Sequence, residues 1–231
     1  MNVTIGKACE VFAVTASLVL ASCGMPKPGE IELAPQGSDA LLLLYTTPTT
    51  ISYDLHVTNF DPNVKQTTES SLGGWVHLRG SSGPMAHFIY AKVSPGTYAI
   101  HSFQQQLKWA LCFHANTYSF SVSPGQVLYL GAFEAGKHHA ELNTQVQTHG
   151  NLIAGKYEVH HYFDDVSPPH VVQLSQGPGS LAHAQEYVTT NMPKVRAKVD
   201  LASLQNASFG TGYSLTGQRL CGGYFKGAAK N

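Results

Sequence analysis

Imidazoles, adjacent carboxylates and thiols are the side chains in this sequence with a capacity for chemistry. The chain holds 12 His in 231 residues, a high count. Two adjacent pairs stand out, His138-His139 and His160-His161. Imidazole is the commonest metal ligand, and its charge changes near pH 6 to 7. The spacing, however, does not build a metal centre. Neighbours on a strand point to opposite faces, so each pair offers one ligand per face. The sequence has no H-E-x-x-H, no H-x-H and no C-x-x-C. His138-His139 follows Gly136-Lys137 and reads as a loop. His160 reads as solvated and His161 as packed. The expected set of metal ligands is none.

Asp164-Asp165 is the one adjacent acid pair, and it precedes V-S-P-P. It reads as a solvated turn. A glycosidase sets two carboxylates across a cleft, and no second acid is a convincing partner here. There is no G-x-S-x-G elbow and no P-loop. No catalytic residue is assigned, and the chain is read as a non-enzyme.

The thiols carry more information, beginning with the N-terminal segment. Met1–Lys7 ends in a positive charge, and Ala8–Leu20 is mostly apolar, interrupted by Glu10. That run is too short for a spanning helix, which needs about 20 residues. It fits the apolar part of an export signal. Leu20-Ala21-Ser22-Cys23 follows, and it resembles the lipobox of bacterial lipoproteins. The resemblance implies that the Cys23 thiol takes a diacylglycerol, that the peptide is cut before Cys23, and that the new amino group is acylated. The covalent lipid is then the only cofactor, and the membrane is a partner through it. Gly24, where an Asp would imply inner-membrane retention, implies the outer membrane, with the domain facing the periplasm or the cell surface. The chain divides into a signal peptide (1–22), a lipidated Cys with a flexible Pro/Gly tether (23–39) and a single β-sandwich domain (40–231). A flexible tether of this length spans roughly 20 Å.

Processing removes Cys9, and the lipid occupies Cys23. Cys112 and Cys221 remain as an even pair in an oxidising compartment, so a disulfide is expected. It would close a loop of about 110 residues, for which the chain-entropy model gives nearly 5 kcal/mol. Two buried free thiols are the alternative.

The elements that position these groups have a period of two. Ala40–Thr46 is continuously apolar, as for a strand buried on both sides. Ile51, Tyr53, Leu55 and Val57 alternate with Ser52, Asp54, His56 and Thr58. Trp75, His77 and Arg79 alternate with Val76 and Leu78. His87–Val93, Thr97–Phe103, Leu107–Phe113, Thr117–Val122, Val127–Phe133 and Lys156–Phe163 continue the pattern. Leu181–Asn191 is the one helix expected, with Ser180 as its cap and Pro193 beyond its end. Val195–Leu201 alternates again, and Phe209–Phe225 is Gly-rich and aromatic, read as a final hairpin or an irregular strap. The expected fold is mainly β, an antiparallel β-sandwich with that helix packed on an end or face.

Val93-Ser94-Pro95-Gly96 precedes TYAI, and Val122-Ser123-Pro124-Gly125 precedes QVLYL. Pro presets φ and Gly supplies a positive φ, so each should turn the chain tightly between strands. The phrase V-x-P-G-x-Y-x-[IL] resembles envelope lipoproteins carrying a PEGA-like or carboxypeptidase-regulatory-like module. The resemblance covers about 40–134. It implies a small antiparallel sandwich with an inward Tyr and a binding or structural role.

Only 12% of residues are charged and the net charge is zero, against about 25% charged in a typical domain. Nucleic acid, which selects for a surplus of Lys and Arg, is excluded as a partner. The 43% of apolar residues can bury a core. The expected function is a lipid-anchored, non-enzymatic binding, scaffolding or accessory role in the bacterial envelope, with an envelope protein or polysaccharide as partner. One alternative is an envelope hydrolase, which needs a pocket joining His161 or His101 to an acid and a nucleophile. The other is a His-based metal or pH-responsive protein that becomes strongly basic below about pH 6 and adheres to anionic envelope polymers.

Overall fold

The period of two from Ala40 onward emerges as two β-sheets. A computed structural model describes residues 26–35, 37–67, 75–105, 109–149, 162–164, 166–213 and 219–222. One sheet contains β1 (Ala40–Thr46), β5 (His87–Val93), β9 (Val127–Phe133), β11 (Val171–Val172) and β12 (Val199–Leu201). Its order is β11-β9-β1-β5, with β12 also paired to β9. The other contains β2 (Tyr53–Asp61), β3 (Gln66–Thr67), β4 (Trp75–Gly80), β6 (Gly96–Gln105), β7 (Trp109–Cys112), β8 (Thr117–Val122), β10 (Tyr162–Phe163) and β13 (Gln205–Ala207). It curls into half a barrel around the adjacent strands β2 and β6.

Leu42 and Leu44 of β1 and Leu128 and Leu130 of β9 share one core with Leu55 and Val57 of β2 and Ile100 and Phe103 of β6. Burying each such side chain stabilises by about 1.5–3 kcal/mol. Leu41 and Leu43 point the other way, and with Val127 and Tyr129 they form a second core against Ala184, Val188 and Met192. Those three lie on or just beyond helix α2 (Leu181–Asn191). The apolar run of β1 is therefore explained by two partners, a sheet on one face and a helix on the other. The Ser180 side chain caps α2 by accepting from the His183 N–H at 3.3 Å.

Four expectations are corrected. First, the strands are not all antiparallel. β1 runs parallel to β9 (Leu42↔Leu128), β12 runs parallel to β9, and β10 runs parallel to β7. A parallel pair needs a long crossover, and the whole β2–β8 stretch supplies it between β1 and β9.

Second, the segment read as a tether is anchored from Ile31 on. Ile31 and Leu33 are 2% and 3% exposed and pack into the core beneath α2. Leu33 bridges to Val195, and Pro28–Glu30 form a short 3-10 turn. Pro and Gly content marked an irregular backbone, but two aliphatic side chains suffice to hold it down.

Third, His138-His139 lies in a second helix, α1 (Ala135–His149), not in a loop. Ala135, His138 and Leu142 fall on one face, and all are fully buried. The polar composition and Gly136 hid that face.

Fourth, the two V-S-P-G turns do not join paired strands. Each carries the chain from one sheet to the other, β5 to β6 and β8 to β9. They lie side by side, with Gly96 opposite Val122. Gly125 has φ +70, and a Cβ there would lie 2.2 Å from the Pro35 carbonyl oxygen. Tyr98 is buried, and its hydroxyl donates to the Ser94 carbonyl at 2.7 Å, fastening the first turn.

A third cluster covers the outer face of the curled sheet. Phe60, Ala99 and Cys112 meet Phe209 and Cys221 of the C-terminal strap, which continues into a small hairpin of β14 (Gly212–Tyr213) and β15 (Arg219–Leu220). Cys112 and Cys221 form a disulfide with Cα atoms 5.6 Å apart.

Candidate functional site

The outer face of the curled sheet carries a cluster of polar and aromatic side chains. Tyr53, Leu55 and Val57 point into the core, so Asp54, His56 and Thr58 of β2 point outward. Leu78 of β4 points inward, so His77 and Arg79 point outward. The antiparallel register sets Asp54 opposite Arg79, His56 opposite His77 and Thr58 opposite Trp75. On the other side of β2, the pairing with β6 slips by one residue between His56 and Val57. The slip is a β-bulge, and its extra residue is His101.

The rings form a row. His56 and His77 have centroids 4.3 Å apart, and His56 and Trp75 4.7 Å. Trp75 and His101 follow at 5.3 Å, and His101 stacks on Phe209 at 5.2 Å. His101 is fully buried and bonded on both nitrogens. Its Nε2 lies 2.8 Å from the Cys221 carbonyl oxygen, and its Nδ1 lies 3.0 Å from the Ser102 hydroxyl. The carbonyl only accepts, so Nε2 carries the proton and Nδ1 accepts from Ser102. This Ser–His pair sits beneath the disulfide strap.

His56 differs from His101. It is 1% exposed, and neither ring nitrogen has a hydrogen-bond partner among the described residues. The Nδ1 of His77 and the Nε1 of Trp75 are buried without partners there as well. Asp54 accepts from Arg79 Nε at 3.1 Å. One donor atom from each of Asp54, His56 and His77 lies within 4.8 Å of the others. Burial, and then the neighbouring rings of His77 and His101 and the Arg79 charge, push His56 down to about 2. Burial also pushes His77 down. Both rings are neutral at physiological pH, so each carries one N–H and one nitrogen lone pair.

A second polar network joins α1 to the segment before β11. His138 is fully buried among Phe103, Phe113 and Phe133. Its Nε2 accepts from the His170 N–H at 2.9 Å, and its Nδ1 faces Glu141 Oε2 at 3.2 Å. A backbone N–H only donates, so the proton of His138 is on Nδ1. Glu141 also accepts from the Ser167 N–H at 2.6 Å and the Ser167 hydroxyl at 2.8 Å. Ser167 Oγ lies 3.2 Å from His170 Nε2. These residue types recur in hydrolases, but the connectivity here is different. A nucleophilic Ser gives its proton to a His that an acid orients. This Ser hydroxyl gives its proton to the acid directly, which ties a loop to a helix. Burial, and then His170, push His138 down to about 4.

The remaining sequence candidates divide as follows. Cys23, His160, His161 and Asp165 lie outside the described residues. Asp164 is 4.0 Å from His114 Nε2. His139 pairs with Asn143 on the solvent side of α1. His56 and His138 stay neutral well below pH 6, so acid adds less charge than twelve His would suggest. Sequence reasoning missed Asp54, His56 and His77 as a group. The only signal was a His at the polar phase of two separate strands, and motif spacing does not register a pair made across a sheet.

A groove of about 710 Å3 runs along the β8–β13 edge of the curled sheet. Phe60 and Phe120 line it with Asn116, Ser119, Gln205 and Asn206. Lys65 is the one charged residue among those lining it. Comparison with known proteins finds no match: no family model, curated protein or solved structure is similar to this chain.

Proposed function

We propose that this chain is a lipid-anchored bacterial envelope protein, held at the outer membrane through acyl chains on Cys23. Its folded part is read as a β-sandwich of the PEGA-like kind, adapted by parallel pairs and a second helix, with a binding role and no catalysis. The observation that carries the reading is the Cys112–Cys221 bridge. Disulfides of this kind persist in oxidising compartments and are rare in the cytosol. That agrees with the export signal and with the thiol left for lipid in Leu20-Ala21-Ser22-Cys23. Among the described residues no helix is long and apolar enough to cross a membrane.

The groove supports a binding role. A lining of hydroxyls and amides, with Lys65 and no carboxylate among the lining residues, suits an envelope polysaccharide of low charge. The Ser102–His101 and Ser167–His170 pairs are both committed to structural hydrogen bonds, which favours binding over hydrolysis.

Labelling cells with radioactive palmitate tests the anchor. The wild-type chain takes up label and fractionates with the outer membrane. Cys23→Ala loses the label and appears in the soluble fraction. Label persisting in Cys23→Ala, or absent from wild type, overturns the reading.

A further inference from the structure

We propose that Asp54, His56 and His77 form a binding site for a divalent transition-metal ion of the zinc–copper class. Two imidazole nitrogens and one carboxylate oxygen make a donor set suited to such ions. Calcium and magnesium take oxygen ligands almost throughout, and this set has only one.

Three features make this a site and not a coincidence of side chains. The first is His56, 1% exposed with both ring nitrogens unpartnered among the described residues. A buried polar atom without a partner is costly, and coordination satisfies one of these two nitrogens. The second is convergence, since the three donor atoms lie within 4.8 Å of one another. Tetrahedral zinc at about 2.0–2.1 Å from each donor sets them about 3.3 Å apart. Rotation of the half-buried His77 ring supplies the closure. The third is rigidity. The ligands sit on paired strands in continuous register from Tyr53↔Gly80 to Thr58↔Trp75.

Arg79 is the outer partner of the site. It holds Asp54 Oδ1 at 3.1 Å, orients the carboxylate and leaves the other oxygen for the ion. Its positive charge opposes the metal, but its side chain is 54% exposed and is screened by water. The Asp54 side chain is 15% exposed, so the ion enters past Asp54 and His77 and meets His56 last. Three protein ligands leave a fourth position for water or for a group on a partner.

The test is titration of the chelator-stripped, full-length processed protein with Zn2+, and separately with Cu2+ and Ca2+, by calorimetry. One Zn2+ or Cu2+ ion should bind per chain with a Kd of about 10 µM or tighter, and Ca2+ should not compete. His77→Gln and Asp54→Asn should each weaken binding at least tenfold. His139→Gln, on the surface of α1, should leave it unchanged. Imidazole nitrogen NMR of the wild-type protein reads the ligands without any substitution, so a variant that fails to fold does not stall the test. Zinc should shift the His56 and His77 ring signals and spare those of His138 and His101. Millimolar binding, affinity unchanged in both ligand variants, or zinc shifts confined to other histidines overturn the proposal.

Discussion

His56 and His77 face each other across the β2–β4 register with ring centroids 4.3 Å apart, and neither Nδ1 has a hydrogen-bond partner among the described residues. A buried imidazole such as His56, with neither nitrogen bonded, weakens a fold unless it serves another end. Replacing His56 with Leu removes the unpaired nitrogens at similar volume. In chelator, His56→Leu should be about 1 kcal/mol more stable than wild type, which raises Tm by about 2–4 °C in a domain of this size. A Tm that falls would show that the imidazole contributes contacts worth more than its desolvation.

The Cys112–Cys221 bridge closes a loop with a sequence separation of 109 and pins Phe209 and Cys221 over the outer face of the curled sheet. Reduction, or the double substitution Cys112→Ala with Cys221→Ala, should lower stability by about 2–5 kcal/mol. Denaturant unfolding with and without reductant measures this directly. Identical midpoints would mean that the strap holds without the bond.

His138 gives the stability a defined pH dependence. Its folded value, about 4, lies below the ordinary 6.5, so folding favours the neutral ring. Above pH 6.5 both states are neutral and the full stability is present. As the pH falls below 6.5, the unfolded chain takes up a proton that the folded chain refuses. Stability then declines until about pH 4, where the folded ring protonates too. The loss from this residue is on the order of 3 kcal/mol. His138→Gln keeps an acceptor for the His170 N–H and a donor for Glu141, and it should flatten the slope. Chemical denaturation at pH 7 and pH 4.5 compares the two, and equal slopes would remove His138 as the cause.

Leu33 decides whether the segment before β1 is free or fastened. It is 3% exposed against the core beneath α2. Leu33→Ala should cost about 2–4 kcal/mol, as for a buried core leucine, and should expose 26–35 to protease. No change in Tm would restore the reading of a free tether.

Much of the fold is legible in the residues because it depends on local period. The apolar run of β1, the outward phase of Asp54, His56 and Thr58, and the Ser180 cap of α2 follow from alternation and side-chain chemistry within a few positions. The pairing of Cys112 with Cys221 was legible only through the lipoprotein resemblance, which implies other fates for the remaining two thiols. Helix α1 was less legible, because His138 fills a core position that an apolar residue normally marks.

Pairing between distant strands decided the rest. Nothing in the spacing of His56 and His77 places them opposite one another. That comes from the β2–β4 register, while the bulge in β6 sets His101 against the disulfide strap. The burial of Ile31 and Leu33 likewise depends on α2 folding back over the five-stranded sheet. Local sequence determines which way a side chain points along its own strand. Only the packed sheets determine what it meets there, because those contacts are made by chain segments far apart in sequence.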